Sequence, residues 1–157
     1  MVNTRSSRAP LEAEIAVPPI AVRPGLQALR DRLALTYFGC RLRAFDIVWE
    51  NAMVSTSGRT FYRRRLIKIS WPILRALGSR ELEAVILHEL IHVHLYLEHG
   101  DGSHGSRFRA HARRINRLGG YNIGVHHDAA HQVVQRHSWR CTGCGMVIHT
   151  SRDVVTI

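Results

Sequence analysis

Lysine is nearly absent from this chain of 157 residues: Lys68 stands alone among 22 basic side chains. Acid is scarce too, at 12 carboxylates, so the formal net charge is +10. Cysteine is scarcer still. Cys40, Cys141 and Cys144 are an odd count with one close pair, which argues against a disulfide framework. No apolar run reaches the length of a membrane span. Met1 to Pro10 lacks the apolar core of a signal peptide. Together these absences point to a soluble, reduced, intracellular protein, nuclear in a eukaryote and cytoplasmic or nucleoid-associated in a prokaryote. Net charge of this size favours an acidic partner, nucleic acid first and anionic membrane second. A GC-rich genome accounts for the Arg:Lys ratio at least as well, but not for the net charge.

What is present suits one globular domain with a small appendage: 45% hydrophobic, 22% charged and long enough for a real core. Residues 1–24 carry Pro10, Pro18, Pro19 and Pro24 and read as a flexible tail. A main domain follows over 25–135, and 136–157 reads as a separate hairpin. Leu26, Leu29 and Leu33 are spaced for a helix that Gly39 ends, with Cys40 expected as a small core residue. Arg41 to Trp49 and Arg59 to Ser70 alternate as strands, expected to pair as an antiparallel hairpin. Arg63, Arg64 and Arg65 fall on that edge, as a phosphate contact or as a solvated guard against aggregation. Trp71-Pro72 opens a short helix through Leu77. Ser79 is the expected cap of a long, almost wholly apolar helix from Arg80 to Glu98, with Gly100 as its stop.

That long helix carries the chemistry. His88-Glu89-Leu90-Ile91-His92 reads H-E-x-x-H, and residues four apart share a helix face. Two neutral imidazoles there can bind one Zn²⁺, with Glu89 within reach of a water on the metal. A third ligand is needed from elsewhere, and a fourth position stays open. His104, in Gly100-Asp101-Gly102-Ser103-His104-Gly105, is the best placed. His94 faces away from His92, and His99 lies two turns along. The plainer alternative is a pair of core histidines satisfied by backbone carbonyls.

Ser106 to Leu118 reads as another helix, with a stripe of Phe108, Ala112 and Ile115. Arg107, Arg109, Arg113, Arg114 and Arg117 cover the rest with no carboxylate among them, as a solvated face or a polyanion contact. His126, His127 and His131 follow in an irregular segment, as surface residues or substrate contacts. Cys141-Thr142-Gly143-Cys144-Gly145 is half a zinc ribbon. His137 and His149 are the remaining candidates to complete a second, otherwise incomplete zinc site.

In order, the motifs are Tyr37-Phe38-Gly39, Val48-Trp49-Glu50, Ile67 to Leu74, Glu81-Leu82, His88 to His92, Asp101 to Gly105 with Phe108, Arg114-Ile115-Asn116 and Trp139-Arg140-Cys141. From Leu26 to Cys144 this series resembles the SprT-like domain of the Spartan-type zinc metalloproteases. The resemblance implies a zincin-like α+β core, its small antiparallel sheet packed on the H-E-x-x-H helix, followed by a partial zinc-ribbon hairpin. It implies His88, His92 and His104 as zinc ligands and Glu89 as catalytic base. It also implies an endopeptidase for proteins bound or crosslinked to DNA, with DNA, single-stranded or with exposed bases, as partner. Two features depart from the family pattern: Ser103 stands between Gly102 and His104, and no second cysteine pair follows Cys144. A non-catalytic zinc-containing DNA-binding module and a general metalloprotease without a DNA role are the competing expectations.

Overall fold

The computed structural model describes residues 20–40, 42–126, 138–140 and 147–149. The chain runs α1 (Leu26–Phe38), β1 (Asp46–Glu50), β2 (Gly58–Phe61), β3 (Leu66–Ser70), α2 (Trp71–Leu74), α3 (Ser79–His99), α4 (Ser106–Gly119), β4 (Ser138–Arg140) and β5 (Val147–His149). This is the expected α+β class.

Helix α3 is the centre. Its apolar residues Leu82, Ile86, Leu87, Leu90, Ile91 and Val93 are fully buried. They pack with Leu33 and Ala34 of α1, Ile67 and Ile69 of β3, and Phe108 and Ile115 of α4. Burial on nearly every side explains why the helix lacks a polar face. Gly78 caps it, one residue before the expected Ser79, and Gly100 closes it at φ +65°. Ser70 links β3 to α2, its Oγ accepting the Ile73 N–H while Pro72 sits in the first turn.

The sheet is mixed, which corrects the antiparallel expectation. The strand order is β1-β3-β2: β1 runs parallel to β3, and β2 pairs with it antiparallel. The segment from Arg59 to Ser70 folds back on itself. Tyr62 to Arg65 form the turn, closed by the Arg65 N–H to Tyr62 carbonyl bond of 3.1 Å. Arg65 takes φ +48° there, a conformation that a non-glycine residue adopts at some cost. No glycine, proline or asparagine marks that turn, so the alternation reads as one strand. The three arginines therefore occupy a turn rather than a strand edge. The 51–57 loop carries the chain from β1 to the far side of β3, leaving β2 at the edge.

Cys40 is exposed, contrary to its expected place in the core. Gly39, at φ +66°, turns the chain out of α1 at the surface, and Cys40 follows it there. Strands β4 and β5 form an antiparallel hairpin with Trp139 opposite Ile148. Cys141, Cys144, His127, His131 and His137 lie outside the described residues, as do residues 1–19 of the expected tail.

Candidate metal centre

One turn of α3 separates His88 from His92, and the turn after Gly100 brings His104 back to meet them. The three Nε2 atoms are 3.0 Å (His88 to His104), 3.0 Å (His92 to His104) and 3.2 Å (His88 to His92) apart. A tetrahedral ion with metal–nitrogen bonds of about 2.0–2.1 Å places its ligand nitrogens about 3.3 Å apart, within a few tenths of this triangle. Mutual hydrogen bonding is a poor account of it. A bond between two ring nitrogens needs one proton and one lone pair, and three mutually adjacent nitrogens cannot supply that for every pair. A metal ion takes all three lone pairs at once. Among the described residues this is the only group of three or more His, Cys, Asp or Glu side chains gathered closely enough for an ion. His88 and His92 are buried, and His104 is the most open of the three.

Phe108 fixes the imidazoles. It is fully buried, two residues into α4, with its ring centroid 4.6–4.8 Å from all three. The loop before it accommodates Ser103 with two local bonds. Asp101 Oδ1 accepts the Ser103 N–H at 2.9 Å, and Ser103 Oγ accepts the Gly105 N–H. Ser103 thus becomes part of the turn that presents His104. Gly102 leaves room for Tyr62, whose ring lies where a Cβ would stand, 2.6–2.8 Å away. Tyr62 Oη donates to the Gly102 carbonyl. Burial, then the nearby Glu89 and Asp101 carboxylates, push its phenol up to about 12, so it stays a donor.

Glu89 is 2% exposed, and strand β2 holds it. Thr60 Oγ1 donates to Glu89 Oε2 at 2.6 Å. Gly58, two residues earlier on the same face of β2, packs directly on it: an added Cβ would lie 2.8 Å from Val85 Cγ1 and 2.9 Å from Glu89 Oε1. The centre opens into a cleft of about 370 Å³ lined by Thr56, Gly58, Arg59, Thr60, Tyr62 and Gly102 beside the histidines and Glu89. Sequence reasoning missed this β2 wall entirely. Its one local sign is the small pair Ser57-Gly58 opening a strand, which is weak evidence of close backbone approach.

The other histidines whose side chains are described lie elsewhere. His94 and His111 pack together with Phe38, ring centroids 5.0 Å apart for the imidazole pair. His99 and His126 are exposed.

Fold and centre together define an α+β protein built on a three-histidine H-E-x-x-H metal site. Residues 26–134 match the SprT-like family, and the chain belongs to it. The DNA-dependent metalloprotease SPRTN of Rattus norvegicus is 35% identical over 129 residues, 76% of this chain and 26% of that protein. The Protein SprT-like of Streptococcus agalactiae is 27% identical over 123 residues, 78% of this chain and 83% of that protein. The crystal structure of the metallopeptidase zymogen of Pyrococcus abyssi abylysin superposes with a TM-score of 0.42 at 16% identity, over 64% of this chain and all of that one. The chain matches about a quarter of the length of the SPRTN relatives. No helix among the described residues is long and apolar enough to cross a membrane.

Proposed function

We propose that the chain is a zinc-dependent endopeptidase acting on proteins bound or crosslinked to DNA. The observation that carries the reading is the convergence of the His88, His92 and His104 Nε2 atoms beside a buried glutamate held by the neighbouring strand. In this reading the three histidines hold zinc and Glu89 is the base. Family membership and the relatives named as DNA-dependent metalloproteases support it.

Bound there, zinc would lower the pKa of a coordinated water toward neutrality and polarise a peptide carbonyl. The rest falls to the chain's own groups. Glu89 accepts the proton of the attacking water and returns it to the leaving amine. Thr60 holds the carboxylate by Oε2 while this happens. Strand β2 is the sheet edge and lines the cleft, so an extended peptide can pair with its outward backbone groups. Recognition through the main chain demands little of the substrate's sequence. A non-catalytic DNA-binding module has no use for a glutamate clamped in this way.

The test is cleavage of a DNA-bound basic protein, with and without single-stranded DNA, by the wild type and by Glu89→Gln. Cleavage that requires both DNA and Glu89 supports the reading. Glu89-dependent cleavage indifferent to DNA leaves a general metalloprotease. Undiminished cleavage by Glu89→Gln, with zinc still bound, refutes the mechanism.

A further inference from the structure

Helix α4 breaks two local rules of charge placement. Arg107 and Arg109 sit at its N-terminal end, where the free backbone N–H groups carry partial positive charge, and no acid joins them in the first turn. Arg109, Arg113 and Arg117 then follow at four-residue steps, which stacks like charges along one side and weakens a helix. Only Arg117, in the last turn, suits the helix dipole. All three point away from the buried Phe108, Ala112 and Ile115 and are exposed.

Five basic residues elsewhere are paired with carboxylates. Arg30 and Arg43 share Asp31, Arg32 and Arg80 share Glu83, and Lys68 holds Glu50. Arg114, on the inner flank of α4, donates to the Tyr37 carbonyl. Among the described residues the side chains of Arg109, Arg113 and Arg117 make no ion pair, and no helix residue is acidic. A row of charges that weakens its own helix and has no partner within the described fold matches a surface kept for an external one. Its position fits the same conclusion. The helix starts two residues after His104, and the row begins at Arg109, next in sequence to the Phe108 that packs on the imidazoles, and runs roughly 12 Å along the helix.

We propose that the Arg109, Arg113 and Arg117 face of α4 is a docking surface for the phosphodiester backbone of DNA, set so that bound DNA lies next to the metal centre. The proposal rests on the DNA-linked reading above and says where the DNA sits. Guanidinium forks match phosphate oxygens in pairs, and backbone contacts carry no sequence information. Binding by this face is therefore salt-sensitive and indifferent to base sequence.

The experiment is anisotropy of a labelled thymidine oligonucleotide with the full chain over a series of salt concentrations. It compares the wild type with the triple variant R109A/R113A/R117A and a charge-matched variant, R23A/R43A/R75A, whose sites are also exposed but lie off α4. Alanine is the better helix former, so the α4 variant keeps its fold, which its melting temperature checks. Three single-strand phosphate contacts at about 0.7 each predict that the slope of log K against log salt falls by about 2 in the α4 variant, and by clearly less in the charge-matched one. Equal losses in the two overturn the proposal, because net charge then explains both. Wild-type binding that the α4 variant retains unchanged sinks the surface but not the DNA reading. No wild-type binding sinks both. Phosphatidylserine vesicles are the parallel probe: α4-dependent capture by vesicles, with oligonucleotide binding unaffected by the variant, assigns the face to a membrane and overturns the proposal.

Discussion

Replacing Thr60 by valine keeps the shape of the side chain and deletes its one donor. Thr60 Oγ1 lies 2.6 Å from Glu89 Oε2, and Glu89 is buried at 2% exposure. A hydrogen bond to a charged group is worth about 1.5–3 kcal/mol. If that energy holds the carboxylate where it meets the attacking water, its loss lowers kcat by about 10- to 150-fold, at about 1.4 kcal/mol per factor of ten. KM changes little, because Thr60 acts on the base rather than on the peptide. Thr60→Ser, which restores the hydroxyl, returns most of kcat. The assay is steady-state hydrolysis of a quenched peptide, run beside a melting curve and a zinc stoichiometry for each variant. A purely structural role for Thr60 predicts parallel losses of stability and zinc with no serine rescue. Unchanged kcat in Thr60→Val, or failure of serine to restore it, would refute the argument that β2 positions the base.

Zinc at a hundred times its dissociation constant stabilises the wild type by about 2.7 kcal/mol, and His104→Ala removes most of that rise in a thermal melt; an equal rise in both excludes His104 as a ligand. Phe108→Ala opens a cavity beside all three imidazoles, costs about 3–5 kcal/mol in denaturant unfolding and weakens zinc binding as well; loss of stability with unchanged zinc affinity shows that the ring only fills space. Burial holds the His111 imidazole below its ordinary value of 6.5, helped by the adjacent His94 and by Arg114 and His99, and opposed by Glu98. The unfolded chain then takes up the proton first, so this contribution to stability is complete above about pH 6.5 and is lost as pH falls through the lowered folded value. His111→Gln accordingly shows a smaller fall in melting temperature between pH 7.5 and 5.5, and an undiminished fall excludes His111 as the cause.

The parts of the site that sequence places are those set by local periods. His88 and His92 are one helical turn apart, and Gly100 marks where the chain reverses to bring His104 back. Both signals sit within 17 residues. Thr60 meets Glu89 across 29 residues, through a strand whose position depends on the turn at Tyr62 to Arg65. That turn carries none of the residues that announce turns, since Arg65 takes the positive φ itself. One unannounced turn turned a single long strand into two, made the sheet mixed and moved β2 to the edge beside the cleft. Glu89 of the H-E-x-x-H motif was legible, but the strand that holds it was not. Phe108 illustrates the same limit. Its helical stripe marks it as core, yet nothing local says that it packs on three imidazoles.

Charge shows the opposite failure, a signal that is plain in total and blind in detail. The net of +10 gives no hint of which cations are committed to the scaffold. In the fold, Asp31 and Glu83 each gather two arginines, and Glu50 takes Lys68. Arg30 is buried and also donates to the Phe45 carbonyl, so its charge is part of the α1–β1 packing. Those three carboxylates lie on α1, α3 and β1. Helix α4 is left with no acid of its own and an exposed row of arginines that begins one residue after Phe108. The same helix carries Phe108 against all three imidazoles, so the surface we propose for DNA and the proposed metal centre share one element of the fold.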